Sequence, residues 1–203
     1  MKGGTKALLA VCVIAAAVGI GIYASFANTY NRIVALEETV ESQWGQVQNV
    51  YQRRLDLIPN LVETVRAAAA HEEDVFTEIA EARSRAGGVV TLSADALDDP
   101  QAFARFQQAQ GALSSALQRL LSVSENYPEL RANENFLALQ DQLEGTENRI
   151  SVERRRFNEA VREYNTYIRQ FPRVIIAKTA GFNEKQYFSA DDEAARAPAV
   201  SFE

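Results

Sequence analysis

The sequence predicts an all-α protein: an N-terminal transmembrane helix followed by an antiparallel four-helix bundle with long, coiled-coil-like helices. Three observations carry that prediction. A charge-free apolar run occupies residues 7 to 31, four later segments repeat apolar side chains every three or four residues, and no stretch shows the two-residue alternation of a half-buried strand. The expected organisation is a cytoplasmic stub and anchor over residues 1–27, a helical bundle over 28–188, and a disordered acidic tail over 189–203.

The anchor rests on length. Residues 7 to 26 are almost wholly apolar, and twenty residues make about 30 Å of helix, the thickness of a bilayer's hydrocarbon core. Lys2 and Lys6 precede the run, whereas Arg32 and then Glu37, Glu38 and Glu41 follow it. The positive-inside bias therefore places the N-terminus in the cytoplasm and the remainder outside. A cleaved signal peptide is the competing reading, with residues 25–27 (S-F-A) as an acceptable cleavage region. Amphipathic helical sequence resuming at Tyr30 without a linker favours the uncleaved anchor. Cys12 reads as a small lipid-facing residue. Ala17, Gly21 and Ser25 recur every fourth residue and offer a small-residue face for transmembrane self-association, although such residues are common in any membrane helix.

Helix one, roughly 28 to 58, follows from Tyr30, Ile33, Glu37, Val40, Trp44, Val47, Tyr51, Arg54 and Ile58 on one face. Pro59 lacks an N–H and crowds the preceding turn. A sharp reversal there gives an up-down-up-down bundle with more equal segments; a gentle kink gives one very long helix and a three-helix packing. The reversal is the favoured expectation. Helix two continues through Leu61, Val65, Ala68, Val75, Ile79 and Ala86 to a stop at Gly87-Gly88. Residues 87 to 100 read as a connection. Helix three carries Phe103, Phe106, Gln110, Leu113, Leu117, Leu120, Ser124 and Tyr127 and ends at Pro128. Helix four, roughly 129 to 170, places Phe136, Leu143, Ile150, Phe157, Tyr164 and Phe171 at seven-residue intervals, a heptad seam. With a reversal at Pro59 this helix returns toward the membrane and brings residues 171–177 near the lipid surface.

Composition excludes much chemistry. One cysteine and one histidine leave no disulfide framework and no His- or Cys-based metal centre. A net charge of −6 argues against an electrostatic nucleic-acid partner. Neither a metal nor a cofactor is expected. The candidate polar bundle layer comprises Arg54, Glu153 and Asn158: Glu153 lies on the helix-four seam, a buried carboxylate needs a partner, and Arg54 on the helix-one seam is the natural one. An ion pair fixing helix register outweighs a ligand or pH site there. Asn31, Asn158 and Asn165 sit one step off the apolar stripe and suit cross-bonding at the bundle edge. His71 beside Glu72 and Glu73 reads as exposed surface. Trp44 and the tyrosines read as core filler, and Arg154, Arg155 and Arg156 as a solvated face.

Several of these motifs together resemble the LemA family of bacterial proteins. They include Y-N at 30–31 and 164–165, Trp44, R-R-L-D-L-I-P-N-L-V at 53–62, H-E at 71–72, A-R at 82–83, and E-N-Y-P-E-L at 125–130. F-L-A-L-Q at 136–140, E-N-R-I at 147–150, R-R-R-F-N at 154–158, F-P at 171–172 and G-F at 181–182 complete them. The likeness covers about residues 8 to 188. It implies a four-helix bundle behind one membrane helix in a bacterial membrane, and no established catalytic activity, cofactor or ligand.

The functional expectation is a non-catalytic, membrane-anchored scaffold or adaptor at the bacterial cell envelope. It sits in the inner membrane with a single pass and takes lipid, a protein partner or copies of itself as partners. A single-span sensor is the alternative; with six residues ahead of the span, its partner would be membrane-embedded. A carboxylate-based hydrolase is the third, and it lacks a visible nucleophile, phosphate loop or metal spacing.

Overall fold

The computed structural model describes residues 2–91 and 94–189, and no strand occurs among them. Helix α1 runs from Lys2 to Ala68 without interruption, so the apolar span and the first core-forming helix are one element. Then follow α2 (Glu73–Val90), a 3-10 turn (Ala94–Leu97), α3 (Pro100–Ser124), the single turn α4 (Pro128–Arg131), α5 (Glu134–Arg169) and α6 (Arg173–Ala180). The acidic stretch beyond Ser189 lies outside the described residues.

The N-terminal part of α1 is long and apolar enough to cross a membrane, and its side chains from Leu8 to Ile22 face outward rather than into the protein. From Ile33 onward the stripe expected from periodicity is buried: Ile33, Val40, Trp44, Val47, Tyr51, Arg54 and Ile58 all face the core. Helix α5 packs along this half of α1, and α2 packs against α3. The α1 and α5 axes run in opposite directions, with Arg32 facing Glu163, Trp44 facing Phe157 and Arg54 facing Glu147. One continuous apolar core joins α1, α2, α3 and α5 and takes in Leu97, Leu130, Ala177 and Phe188. Side-chain caps mark two helix starts: Asp99 accepts from the Gln101 amide at 2.8 Å, with Pro100 following, and Asn133 accepts from the amides of Asn135 and Phe136.

The expected reversal at Pro59 does not occur. Leu61 and Val65 belong to α1, and the chain turns at residues 69–72 instead. A proline inside a helix leaves the carbonyl four residues earlier without its donor, here that of Leu55. Arg83 of α2 supplies it, donating from Nε to the Leu55 oxygen at 3.2 Å. The neighbouring helix thus replaces the bond that Pro59 removes. Arg83→Met is expected to cost about 1–2 kcal/mol in urea unfolding, because that carbonyl loses its replacement donor. In a Pro59→Ala background, where the ring is gone and an amide donor returns, the same change should cost clearly less. Equal losses in both backgrounds would refute the coupling.

Two further expectations are corrected. Gly87-Gly88 does not stop α2, which continues to Val90, where the Val90 carbonyl accepts from Gln48 Nε2 at 2.8 Å. The α5 seam is buried at Phe136, Leu143, Ile150, Phe157 and Tyr164, but its expected last member, Phe171, lies beyond the helix end and is 83% exposed.

Candidate functional site

The polar layer forms around Arg54 but not with the expected partner. Arg54 is 1% exposed and stacks over the Tyr51 ring, 5.0 Å from its centroid. Its guanidinium donates to Glu147 Oε1 and Ser114 Oγ, each at 2.9 Å, and to the side-chain oxygen of Gln110. Three helices therefore converge on one buried cation. Glu153 sits closer to the level of Trp44 and forms its ion pair with Arg156, at 2.8 Å and one turn away on the same helix. The antiparallel register decides this, and that register is not written in either stripe alone.

A cleft of about 480 Å³ opens beside this cluster, lined by Gln107, Gln110, Ser114, Glu147, Ser151 and Arg154 among others. Its walls carry hydroxyls, amides and two guanidinium groups against one carboxylate, which suits holding a small anion by charge-assisted hydrogen bonds. Arg54 Nε and Gln110 Nε2 are buried without a hydrogen-bond partner. No nucleophile paired with a general base is assembled there, and among the described residues no group of three or more His, Cys, Asp and Glu could hold a metal ion.

Asn158 has a different task. Its amide donates to the Phe188 carbonyl and its oxygen accepts from the Phe188 amide, both at 2.9 Å. Asn165, two helical turns away, grips Lys185 through the same pair of bonds at the same distances. These asparagines bind an extended C-terminal strap, residues 182–189, rather than another helix. The strap inserts Phe188 among Trp44, Phe103, Phe106 and Phe157, with Arg154 covering its outer face at 4.8 Å. Arg154 also donates to the Ser189 carbonyl, so it belongs to this seam, while Arg155 and Arg156 are solvated. Trp44 is core, as its spacing indicates.

Lys185 was not legible as a site residue. It is 5% exposed and its ammonium lies 2.7 Å from Asp98 and 2.9 Å from Glu37, so the strap, the residue just after the 3-10 turn and α1 meet at one charge. Burial lowers its pKa, but hydrogen bonding and attraction from Asp98 and Glu37 outweigh this and hold it above 10.5. The Tyr164 hydroxyl is buried beside it without a hydrogen-bond partner; burial first, then the charges of Glu37 and Asp98, push its pKa far upward. The available signal was Glu37, a carboxylate on an apolar stripe. Asn31 and His71 are exposed. Ala17, Gly21 and Ser25 lie exposed on α1.

Residues 43–202 match the LemA family, which spans the Arg54 cluster, the Asn158 and Asn165 grips and the strap. The chain belongs to the LemA family. Curated relatives of this LemA protein include the magnetosome protein MamQ of Magnetospirillum gryphiswaldense and the magnetosome proteins MamQ 1 and MamQ 2 of Paramagnetospirillum magneticum. Each is 25% identical over 202 residues, covering 92% of this chain and 73% of the relative. Family, relatives and the apolar N-terminal helix together indicate a membrane-associated protein.

Proposed function

We propose that this LemA protein is a non-catalytic scaffold or adaptor at the bacterial cell envelope, anchored in the cytoplasmic membrane by a single pass. Its N-terminus is cytoplasmic and its helices form an antiparallel, extracytoplasmic bundle. The observation that carries this reading is the uninterrupted α1, which joins the exposed apolar span to the packed core through one rigid element. The similarity to magnetosome proteins is consistent with work at a membrane. Chemical crosslinking of the full chain in native membranes tests it. Discrete homo-oligomers or a reproducible membrane-protein neighbour support the reading, and a strictly monomeric protein without neighbours counts against it.

Self-association through Ala17, Gly21 and Ser25 is the specific form that the small-residue face supports. Gly21→Leu is expected to diminish the crosslinked dimer without changing helix content by circular dichroism. An unchanged dimer removes this interface. A single-span sensor is the second reading, favoured because continuous α1 connects the membrane directly with the Arg54 cleft. A flexible Gly-Ser insertion at Thr29 would break a sensor's transmission yet leave a tethered scaffold working.

A further inference from the structure

Helix α5 approaches the membrane end of α1 in a fixed register. Glu163 pairs with Arg32 at 3.0 Å, and α5 then continues to Arg169, about 9 Å farther along the axis. That brings its end to the level of Phe26, where the apolar run of α1 stops. Helix α6 packs on α1 at this end, and the Phe182 ring that follows it meets Tyr30 at 5.6 Å. Gly181, at φ 83°, closes α6 with bonds from the Phe182 amide to the Ala177 carbonyl and from its own amide to the Lys178 carbonyl, a Schellman turn. The turn sends the strap back along α5, away from the membrane. The segment ahead of it, residues 171–180, is thereby held at the mouth of the span.

This segment exposes the wrong chemistry for water. Phe171 is 83% and Ile175 57% exposed, while Ala177 on the opposite side is buried against the core. Arg173 packs over the Tyr167 ring at 4.1 Å and Lys178 is exposed, so cations flank the apolar pair. Apolar side chains bordered by aromatic and basic groups are the composition of a helix lying in the membrane–water interface. Continuity with the adjacent span names the occupant. We infer that Phe171 and Ile175 insert into the headgroup–acyl boundary of the leaflet from which α1 emerges, with Arg173 and Lys178 at the phosphate level, giving the bundle a second lipid contact. The inference rests on the anchor reading and adds a specific depth and orientation. The sequence brings residues 171–177 near lipid only with a reversal at Pro59; here the antiparallel α5 returns them to the end of the span without one, exposing Phe171 and Ile175 and turning Ala177 inward.

Full-length protein in vesicles of phosphatidylethanolamine and phosphatidylglycerol tests it. An environment-sensitive fluorophore is attached at the native Cys12, or, in a Cys12→Ser background, at Phe171→Cys or Ser122→Cys. Lipids spin-labelled near the headgroup end of the acyl chain serve as quencher. The position-171 label should be blue-shifted and quenched, and the position-122 label at the far end of α3 should be neither. A quenched Cys12 label with an unquenched position-171 label overturns the interfacial contact and leaves the anchor standing. An unquenched Cys12 label defeats both. Because the two side chains are exposed, Phe171→Ser with Ile175→Ser should retain the thermal midpoint while tryptic cleavage at Arg173 and Lys178 in vesicles accelerates several-fold; unchanged cleavage would equally overturn it.

Discussion

Lys185→Met is expected to destabilise the protein by about 2–3 kcal/mol in urea unfolding of the full chain in mild detergent. The value lies below that for a fully buried pair because Glu37 and Asp98 retain some solvent. Without the ammonium, the carboxylates of Glu37 on α1 and Asp98 just after the 3-10 turn lose the cation they share. The strap loses its ammonium bridge to Glu37 and Asp98, so proteolysis within residues 182–189 should quicken before global unfolding. The pH dependence has a definite sign. The folded pKa of Lys185 is raised, so its contribution is complete below 10.5 and disappears as pH climbs through the higher folded value. The wild-type advantage over Lys185→Met should therefore hold level through neutral pH and shrink in strong alkali. A gap that closes near neutrality would mean that another group governs it.

Glu147→Ala should cost about 3 kcal/mol, more than Arg54→Met at about 2 kcal/mol, although both remove the same ion pair. The asymmetry follows from exposure. Glu147 is 42% exposed and can turn into water when Arg54 is absent, and methionine fills much of the vacated core. Arg54 cannot leave the core and cannot shed its charge when Glu147 is absent, so the guanidinium is stranded with neutral acceptors from Ser114 and Gln110. Urea unfolding of the two variants, side by side, decides it. If Arg54→Met proves the more damaging, the hydrogen bonds to Gln110 and Ser114 outweigh the counterion.

The helical stripes were legible because an amphipathic helix writes its buried face into its own spacing, and Ile33 through Ile58 and Phe136 through Tyr164 are buried as that spacing requires. Relations between helices were not. Nothing local to Pro59 reveals that Arg83 will donate to Leu55, so a tolerated proline looks like a break. The choice of Glu147 over Glu153 depends on how far α5 slides along α1, which neither stripe encodes. The strap has no periodicity at all: its position is set by side chains on α5 gripping the backbone of Lys185 and Phe188, so only the asparagines were visible in advance, without the segment they hold.

The unbroken α1 also sets a stand-off distance. From the end of its apolar run to Ala68, some forty residues rise about 60 Å. With the apolar run spanning a bilayer as proposed, a ligand or neighbour captured at the tip near His71 would be kept clear of headgroups, whereas one gripping near Trp44 would sit at less than half that height. Removing seven residues from the rod, close to two full turns, would lower the tip by about 10 Å while nearly preserving its facing, whereas removing three or four would also swing it around the axis.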